Sequence, residues 1–311
     1  MEFGAHLPVI VFGDTRPPTA KELLDYAVLA EELEYAAISA NDHIIFRTGW
    51  LDALTLLAAV CMATKRVRLA TTVLLPALRN PVVCAKALAT LDLLSGGRLL
   101  VGVGAGSYLP DFEACGVPFE ERWRRLDESI RVLRQLWSDQ PARHDSPFYP
   151  LTDVRMEPKP LQRPGPPVWV GSWGSEAGLR RAARLGDGWI ASAYNTTPSR
   201  FGADWDRVRE YVRQFGKNAG QFDNAVVTMF SYITDDAAEA ERVARTILQP
   251  ALGRPAEDLM NALPLGRAQD CAEKVTQFAQ AGARHIFIWP VVDVQRQLRL
   301  FAENVVPLVR R

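Results

Sequence analysis

The sequence has no excess of charge of either sign, because 36 lysines and arginines balance 36 aspartates and glutamates over its 311 residues. Such a chain has no general attraction for nucleic acid or for an anionic membrane, so any anion must be bound locally. It also lacks an apolar run of the roughly 18 residues that a membrane span needs, and its first residues do not resemble a signal peptide. We therefore expect a cytoplasmic protein that acts without nucleic-acid or membrane partners.

Cysteine and histidine are also scarce. The four cysteines lie far apart and form no CxxC pair, which is typical of buried, reduced thiols in a cytosolic protein. The four histidines are dispersed, with no His-x-His pair and no cluster of carboxylates near them. A catalytic metal site needs several such ligands close together, so we expect none here.

What the sequence does contain is one strand-and-helix pattern that repeats along its length. Its clearest unit spans residues 67–107, where an apolar strand (67–74), a helix (82–94) and a second strand ending in Gly102–Gly106 follow one another. The pattern predicts eight strands in all, and the others lie at 3–9, 35–40, 168–171, 188–192, 225–233 and 283–289.

Eight strands that alternate with helices favour an α/β fold, the (β/α)8 TIM barrel, formed by residues 1–311 as a single domain. Two irregular segments, 138–167 after the fourth strand and 249–265 after the seventh, are interpreted as insertions outside the barrel. The segment 108–118 is predicted to be a loop, and 204–215 a helix. A doubly wound parallel sheet is the alternative arrangement.

In a barrel of this kind, catalytic and ligand-binding residues lie where the strands end. None of the six lysines falls at a predicted strand end, which excludes the Schiff-base chemistry of an aldolase. The strand ends are instead rich in glycines and aromatic residues. The glycines of Gly102–Gly106 would let a flat ring approach the main chain, but the eleven-residue loop after them argues against a dinucleotide-binding fingerprint.

Two strand ends carry groups that suit either chemistry or a purely structural role. Gly171–Ser175, directly before a predicted helix, offers backbone amides and hydroxyls to a phosphate, although a plain turn and N-cap would look the same. Asp42 and His43 present a similar choice. The pair could simply cap the next helix, whereas a solvent-reachable histidine at a strand end is a plausible proton donor or acceptor.

Five stretches occur in the order Asn41-Asp42-His43, TTVLLPALRNPVVCAKALATLDLLSGGRLLVGVGAG, GVPFEERWRRLDE, PKPLQRPGPPVWVGSWG and RRAARLGDGW. They lie between residues 41 and 189, within a likeness that extends over nearly the whole chain. In this order they resemble the bacterial luciferase-like superfamily of flavin- and deazaflavin-dependent oxidoreductases, and the combination is far more specific than any one of the motifs.

The resemblance implies a barrel that binds FMN or coenzyme F-420 at its strand ends, with a non-prolyl cis peptide between Thr72 and Val73 that supports the ring. It implies that His43 lies beside the reactive face of that ring as the catalytic acid/base. It also suggests a homodimer, with the helices at 51–64 and 82–94 as candidate contact surfaces. The implied cofactor-binding residues are Asp42, Thr72, Val73, Gly104 and Ala105 around the ring, and Gly171, Ser172, Trp173, Gly174 and Ser175 near the phosphate.

Two positions depart from the sugar-phosphate dehydrogenases of this superfamily. Those enzymes carry an acid directly after GVGxG, where this chain has Ser107, and a tryptophan four residues after the histidine, where it has Arg47. The differences argue against glucose-6-phosphate as the substrate and leave the acid/base pair without its second member. Candidates for an apolar substrate pocket, all of which could equally be core residues, are His6, Trp50, Tyr108, Tyr194 and Trp289.

We therefore expect an oxidoreductase that uses reduced F-420 for hydride transfer to or from a small organic substrate. An FMN-dependent monooxygenase is the first alternative, and it would need a dry pocket and a separate flavin reductase as its partner. A non-catalytic flavin-binding protein is the second alternative. The two insertions contain no motif that identifies the substrate.

Overall fold

The fold is built on strands that close into a ring. The computed structural model describes residues 1–10, 12 and 16–310. The strands are β1 (Glu2–His6), β2 (Ala37–Ala40), β3 (Arg68–Leu74), β4 (Leu99–Val103), β5 (Ala142–His144), β6 (Leu151–Val154), β7 (Val168–Gly171), β8 (Gly188–Ser192), β9 (Asp223–Ile233), β10 (Leu265–Gly266) and β11 (His285–Pro290). Eight of them run parallel in the order β9-β11-β1-β2-β3-β4-β7-β8, and the pairing of β8 with β9 closes the ring. The (β/α)8 barrel is therefore confirmed, and the doubly wound sheet is wrong.

Helices follow the barrel strands and surround them. They are α1 (Ala20–Glu32), α2 (Ala53–Cys61), α3 (Pro81–Ser95), α4 (Leu109–Ala114), α5 (Arg122–Trp137), α6 (Glu176–Leu185), α7 (Pro198–Gln214), α8 (Ala237–Val243), α9 (Gln249–Leu252), α10 (Ala256–Ala262), α11 (Ala268–Gln280) and α12 (Val294–Leu300). Thr19 and Glu22 form a reciprocal capping box that fixes the start of α1. Over the residues that the structure describes, no helix combines the length and apolarity required to cross a membrane.

Apolar side chains fill the interior of the barrel. One cluster of buried residues there consists of Ala37, Ala70, Leu100, Trp169, Ile190, Ala225, Val227 and Phe287. A larger buried cluster includes residues of both the strands and the helices outside them. The barrel is thus a packed core and not a pore, so the site must be sought at the ends of the strands.

Several predicted bounds differ from the structure by a few residues, as for the first strand, which is predicted at 3–9 and found at Glu2–His6, and two segments differ more. The segment 108–118, predicted to be a loop, contains the short helix α4, which has a proline in its first turn. Helix α7 begins at Pro198, six residues before its predicted start at Asp204. Thr197 provides the N-cap by accepting a hydrogen bond from the backbone amide of Arg200, and proline suits the first helical position.

The two predicted insertions do lie outside the ring of strands, but they are partly ordered as secondary structure. The segment 138–167 contains the antiparallel hairpin of β5 and β6, and an ion pair between His144 and Glu128 ties this hairpin to α5. The segment 249–265 contains α9 and α10 and leads into β10, which pairs with β9.

Candidate active site

Two neighbouring cavities open at the ends of the barrel strands. One has a volume of about 530 Å³ and is called here the glycine cavity, because its wall includes Gly104, Gly106 and Gly171. The other, of about 440 Å³, is called the aromatic chamber, and the rings in its wall are Phe46, Trp50, Tyr108, Trp173, Tyr194, Phe230 and Trp289. Asn41 and His43 line both cavities, so molecules bound in the two would meet beside His43.

One wall of the glycine cavity is formed by tightly packed main chain. The peptide bond between Thr72 and Val73 is cis, as the resemblance implies. A Cβ atom at Gly104 would lie 2.6 Å from Val73 Cγ2, so only glycine allows β3 and β4 to approach this closely. The Thr72 hydroxyl is buried and has no hydrogen-bond partner among the described residues. A ligand can therefore approach the main chain of this wall closely, and the Thr72 hydroxyl is available to form a hydrogen bond with it.

The loop Gly171–Ser175, between β7 and α6, contributes to the same cavity. Gly174 has a φ of +87°, and a Cβ atom there would lie 2.3 Å from the Asp204 carboxylate, so the position requires glycine. Ser175 is the N-cap of α6 and accepts a hydrogen bond from the Gly178 amide at 3.2 Å. Of the ten predicted cofactor-binding residues, all but Gly174 line the glycine cavity.

Two arginines that no sequence motif indicated also line the glycine cavity. Arg122 donates to the Phe119 carbonyl at 2.8 Å, while its Nε atom is buried without an acceptor in the part of the chain that the structure describes. Arg200 donates to the Trp173 carbonyl at 3.0 Å, and its Nε lies 3.6 Å from Asp204. The arginines give this part of the cavity a positive charge that suits an anionic group.

His43 is paired with a carboxylate that lies 68 residues away in the chain. Its Nδ1 atom is 2.6 Å from Asp111 Oδ2, and Asp111 is fully buried on α4. The other oxygen of Asp111 accepts hydrogen bonds from the amides of Ile44 and Ile45 at 2.8 and 2.7 Å, which fixes the loop that carries His43. A carboxylate can only accept here, so Nδ1 carries the proton and Nε2 is left as an acceptor.

Asp42 lines the glycine cavity, but its carboxylate is engaged by the protein. Arg79 donates to both of its oxygens, at 2.9 and 3.2 Å, and the Leu75 amide donates at 3.2 Å. Arg79 also binds Asp52 at 2.7 Å. Burial opposes the charge on Asp52, but hydrogen bonds from Thr55 and Arg79 outweigh it and lower the pKa of Asp52. In these contacts Asp42 holds the segment next to His43 in place.

The aromatic chamber is lined by four of the five predicted substrate-pocket residues, Trp50, Tyr108, Tyr194 and Trp289. His6, the fifth, lies behind this wall, where its ring stacks on Trp289 with centroids 3.5 Å apart. Its Nδ1 donates to the Leu7 carbonyl at 2.7 Å. Burial lowers the pKa of His6 to about 3, although the hydrogen bond with Leu7 opposes the shift. His6 is thus a neutral core histidine.

The residues of the glycine cavity fit a flat ring with polar edges and an anionic arm. Close main chain at Gly104 and the unpaired Thr72 hydroxyl suit the ring, and the Arg122 Nε group suits the arm. No set of three or more His, Cys, Asp or Glu side chains in the described ranges is arranged to hold a metal ion.

Comparison with known proteins agrees with this fit. Residues 1–285 match the luciferase-like monooxygenase family. The chain belongs to this family. It is 32% identical to an F-420-dependent glucose-6-phosphate dehydrogenase of Kribbella flavida, an alignment that covers 94% of this chain and 95% of that protein.

Solved structures of other proteins show the same fold. The monooxygenase RslO1 from Streptomyces bottropensis is 26% identical and superposes with a TM-score of 0.85 over 99% of both chains. An F-420-dependent secondary alcohol dehydrogenase, in complex with an F-420–acetone adduct, superposes with a TM-score of 0.84 at 22% identity over 100% of this chain and 99% of that one. The barrel fold of this chain is therefore the same as that of these two proteins.

Within the family framework, the main residue that sequence reasoning missed is Asp111. The position directly after GVGAG is occupied by Ser107, so the motif alone provides no acid for His43. The acid lies four residues further along, and α4 carries it to His43. A carboxylate in the first turn of a helix that follows a strand end was the available signal.

Proposed function

We propose that this protein is an F-420-dependent oxidoreductase that transfers a hydride to or from a small organic substrate, with His43 as proton acceptor and donor. The observation that carries the proposal is the 2.6 Å hydrogen bond between His43 and Asp111 at the junction of the two cavities. His43 is fixed in one tautomer and can be reached both from the aromatic chamber and from the glycine cavity, which fits a flat ring. Such a histidine is suited to acid/base catalysis.

The glycine cavity supports F-420 or FMN as the cofactor. Thr72, Val73, Gly104 and Ala105 would hold the ring, and the Gly171–Ser175 loop would hold the anionic arm together with Arg122 and Arg200. When bound, such a ring supplies an acceptor or a donor of hydride.

His43 handles the proton that accompanies the hydride. In alcohol oxidation, the Nε2 atom of His43 would accept the hydroxyl proton, and a bound ring would take up the hydride from the carbinol carbon to leave a carbonyl compound. The Asp111 carboxylate would stabilise the charge of the protonated His43. In carbonyl reduction, the same atom returns the proton to the forming alkoxide.

The choice of F-420 rests on the relatives. Eight curated relatives, aligned over 93–94% of this chain, are named for F-420. Their named substrate is a sugar phosphate, which the departures at Ser107 and Arg47 argue against for this chain. FMN-dependent oxygenation is the second candidate, favoured by the 26% identity to a monooxygenase over 99% of the chain. It would require a separate flavin reductase.

Binding titrations with F-420 and with FMN test the cofactor. We expect F-420 to bind the purified protein more tightly, as followed by the change in cofactor fluorescence, and to support oxidation or reduction of a small alcohol or ketone. Gly104→Ala should weaken binding, because the added methyl meets Val73 at 2.6 Å. Gly220→Ala, in an exposed turn, is the matched control. Tight FMN binding without F-420 binding would favour the monooxygenase, and binding of neither would overturn both.

The homodimer and the cytoplasmic location remain predictions. Helices α2 and α3 pack against each other, and each has an exposed apolar side chain on it or beside it: Val83 on α3 is 68% exposed, and Met62 just after α2 is 74% exposed. A homodimer would cover such residues. A monomeric mass in sedimentation at micromolar concentration would contradict it.

A further inference from the structure

The aromatic chamber has an unbalanced charge. Its described lining contains Arg47 and Arg254 but no aspartate, glutamate or lysine. Arg47 lies four residues after His43, in the segment between β2 and α2, and Arg254 lies between α9 and α10. Two guanidinium groups thus reach one cavity from separate elements, with no carboxylate in its described wall.

Arg254 is connected to the barrel strands by a chain of hydrogen bonds. It donates to Asn195 Oδ1 at 2.6 Å, Asn195 Nδ2 donates to Ser192 Oγ at 3.0 Å, and Ser192 shares a hydrogen bond with Thr228 Oγ1 at 2.8 Å. Its guanidinium carbon also lies 5.9 Å from the centre of the Tyr194 ring. Arg254 is therefore positioned by the strand ends, and most of its N–H donors are not used by these contacts.

Arg47 supplies the second charge. Its guanidinium carbon lies 6.0 Å from the centre of the Tyr108 ring, and no carboxylate of the described residues lies within 4.0 Å of it. The neighbouring Thr48 hydroxyl is buried in the same chamber and finds no partner within the described ranges. Buried polar groups in native proteins are almost always hydrogen-bonded, and an oxyanion would accept from the hydroxyl and the guanidinium groups together.

We propose that the aromatic chamber binds a small organic oxyanion. Its carboxylate or phosphate group is held by Arg47, Arg254 and the Thr48 hydroxyl, and its aromatic or alicyclic body lies against the rings. The inference rests on the proposed function, because it places the carbon that reacts beside His43, which lines the same chamber. Seven aromatic rings bury an apolar body better than they bury sugar hydroxyls, so the substrate differs from a sugar phosphate.

The proposed oxyanion site is tested in turnover with F-420 by a matched pair of substrates, cyclohexanol and 4-hydroxycyclohexanecarboxylate. The second compound is the same cyclic alcohol with an added carboxylate. We expect kcat/KM to be higher for the acid. Arg254→Gln and Arg47→Gln should each lower that value about 10- to 100-fold, mainly through KM, so that the preference for the acid over cyclohexanol is reduced or lost. Arg254→Lys should give an intermediate loss, because it keeps the charge but not the planar fork. Arg155→Gln, an exposed arginine on the β5–β6 insertion, is the control.

Equilibrium binding gives a second measurement that needs no turnover. Benzoate, phenyl phosphate and neutral benzyl alcohol are titrated against the protein, with the fluorescence of the chamber tryptophans as the signal. We expect at least one of the anions to bind more tightly than benzyl alcohol and to lose at least about 10-fold in Arg254→Gln. The tighter of the two anions identifies a carboxylate or a phosphate as the preferred group.

Equal binding of the anions and benzyl alcohol, or anion binding that neither arginine variant changes, would overturn the inference. The experiments distinguish failure of the oxyanion site from failure of the proposed function. Arginine-dependent anion binding without turnover with any cofactor would support the oxyanion site and overturn the proposed function. Turnover of neutral alcohols with F-420, without arginine-dependent anion binding, would do the reverse.

Discussion

His6 and His43 lie at the ends of neighbouring strands, β1 and β2, yet their surroundings differ in every respect that matters for chemistry. His6 is 1% exposed, donates to a backbone carbonyl and stacks on Trp289. The His43 side chain is 18% exposed, lines two cavities and is bound to the Asp111 carboxylate. Position at a strand end thus does not make a histidine catalytic. Its hydrogen-bond partner and its access to a ligand decide the role.

The largest effect should follow from removing the reactive imidazole. His43→Gln keeps a polar side chain of similar length but cannot exchange a proton, so we expect kcat to fall by about 10²- to 10⁴-fold. Steady-state kinetics with F-420 and a responsive alcohol measures this. Cofactor affinity, titrated on the same preparation, should stay close to that of the wild type. Unchanged turnover with the cofactor bound would favour the non-catalytic flavin-binding alternative.

A smaller effect should follow from changing the partner of His43. In Asp111→Asn, the side-chain oxygen can still accept from the amides of Ile44 and Ile45, but the amide group would donate to His43 Nδ1 and move the imidazole proton to Nε2. We expect kcat to fall about 10- to 100-fold with KM nearly unchanged, by analogy with other residues that orient a reactive group.

Two readouts separate this positioning role from a loss of fold. The nitrogen NMR signals of His43 should show the exchanged tautomer in Asp111→Asn, and Asp111→Glu should recover part of kcat because it restores a carboxylate. A variant in which kcat falls while the tautomer is retained would contradict the assignment.

The sequence predicted local features well and long-range pairs poorly. The alternation of strands and helices predicted the barrel, and motif order located His43 and the cis bond between Thr72 and Val73. Asp111 was missed because its contact with His43 spans 68 residues and depends on where α4 begins. His6 was left undecided because its burial depends on Trp289, at the other end of the chain.

The buried state of His6 predicts that the stability of the protein depends on pH. Its folded pKa of about 3 lies below the ordinary value of 6.5, so below about pH 6.5 the unfolded chain binds a proton that the folded protein does not. Stability is therefore lost as the pH falls from about 6.5 towards 3. Between about pH 7.5 and pH 5.5, this group should remove about 1.4 kcal/mol of unfolding free energy.

His6→Gln is the comparison protein for this measurement. Glutamine does not titrate. The free energy of unfolding of the variant, measured with urea, should therefore lack the part of the pH dependence that His6 causes, even if the variant is less stable at neutral pH. For each protein, the free energy of unfolding is plotted against pH. The contribution of the other ionisable groups is the same in both plots, so it is removed when one slope is subtracted from the other. Identical slopes in the two proteins would show that His6 takes up a proton in the folded state as readily as in the unfolded chain.

The smallest expected effect is that of His6→Gln on turnover. The His6 ring stacks on Trp289, whereas Trp289 itself lines the aromatic chamber and His6 does not. A side chain behind the wall can act on the substrate only by shifting the wall residues it contacts, Trp289 and Asn41, so we expect kcat with F-420 to stay within about twofold of the wild type. Measured beside His43→Gln, the variant makes the same chemical change at the neighbouring strand end. A loss in kcat comparable to that of His43→Gln would mean that the proton path passes through His6, and the distinction between the two histidines would fail.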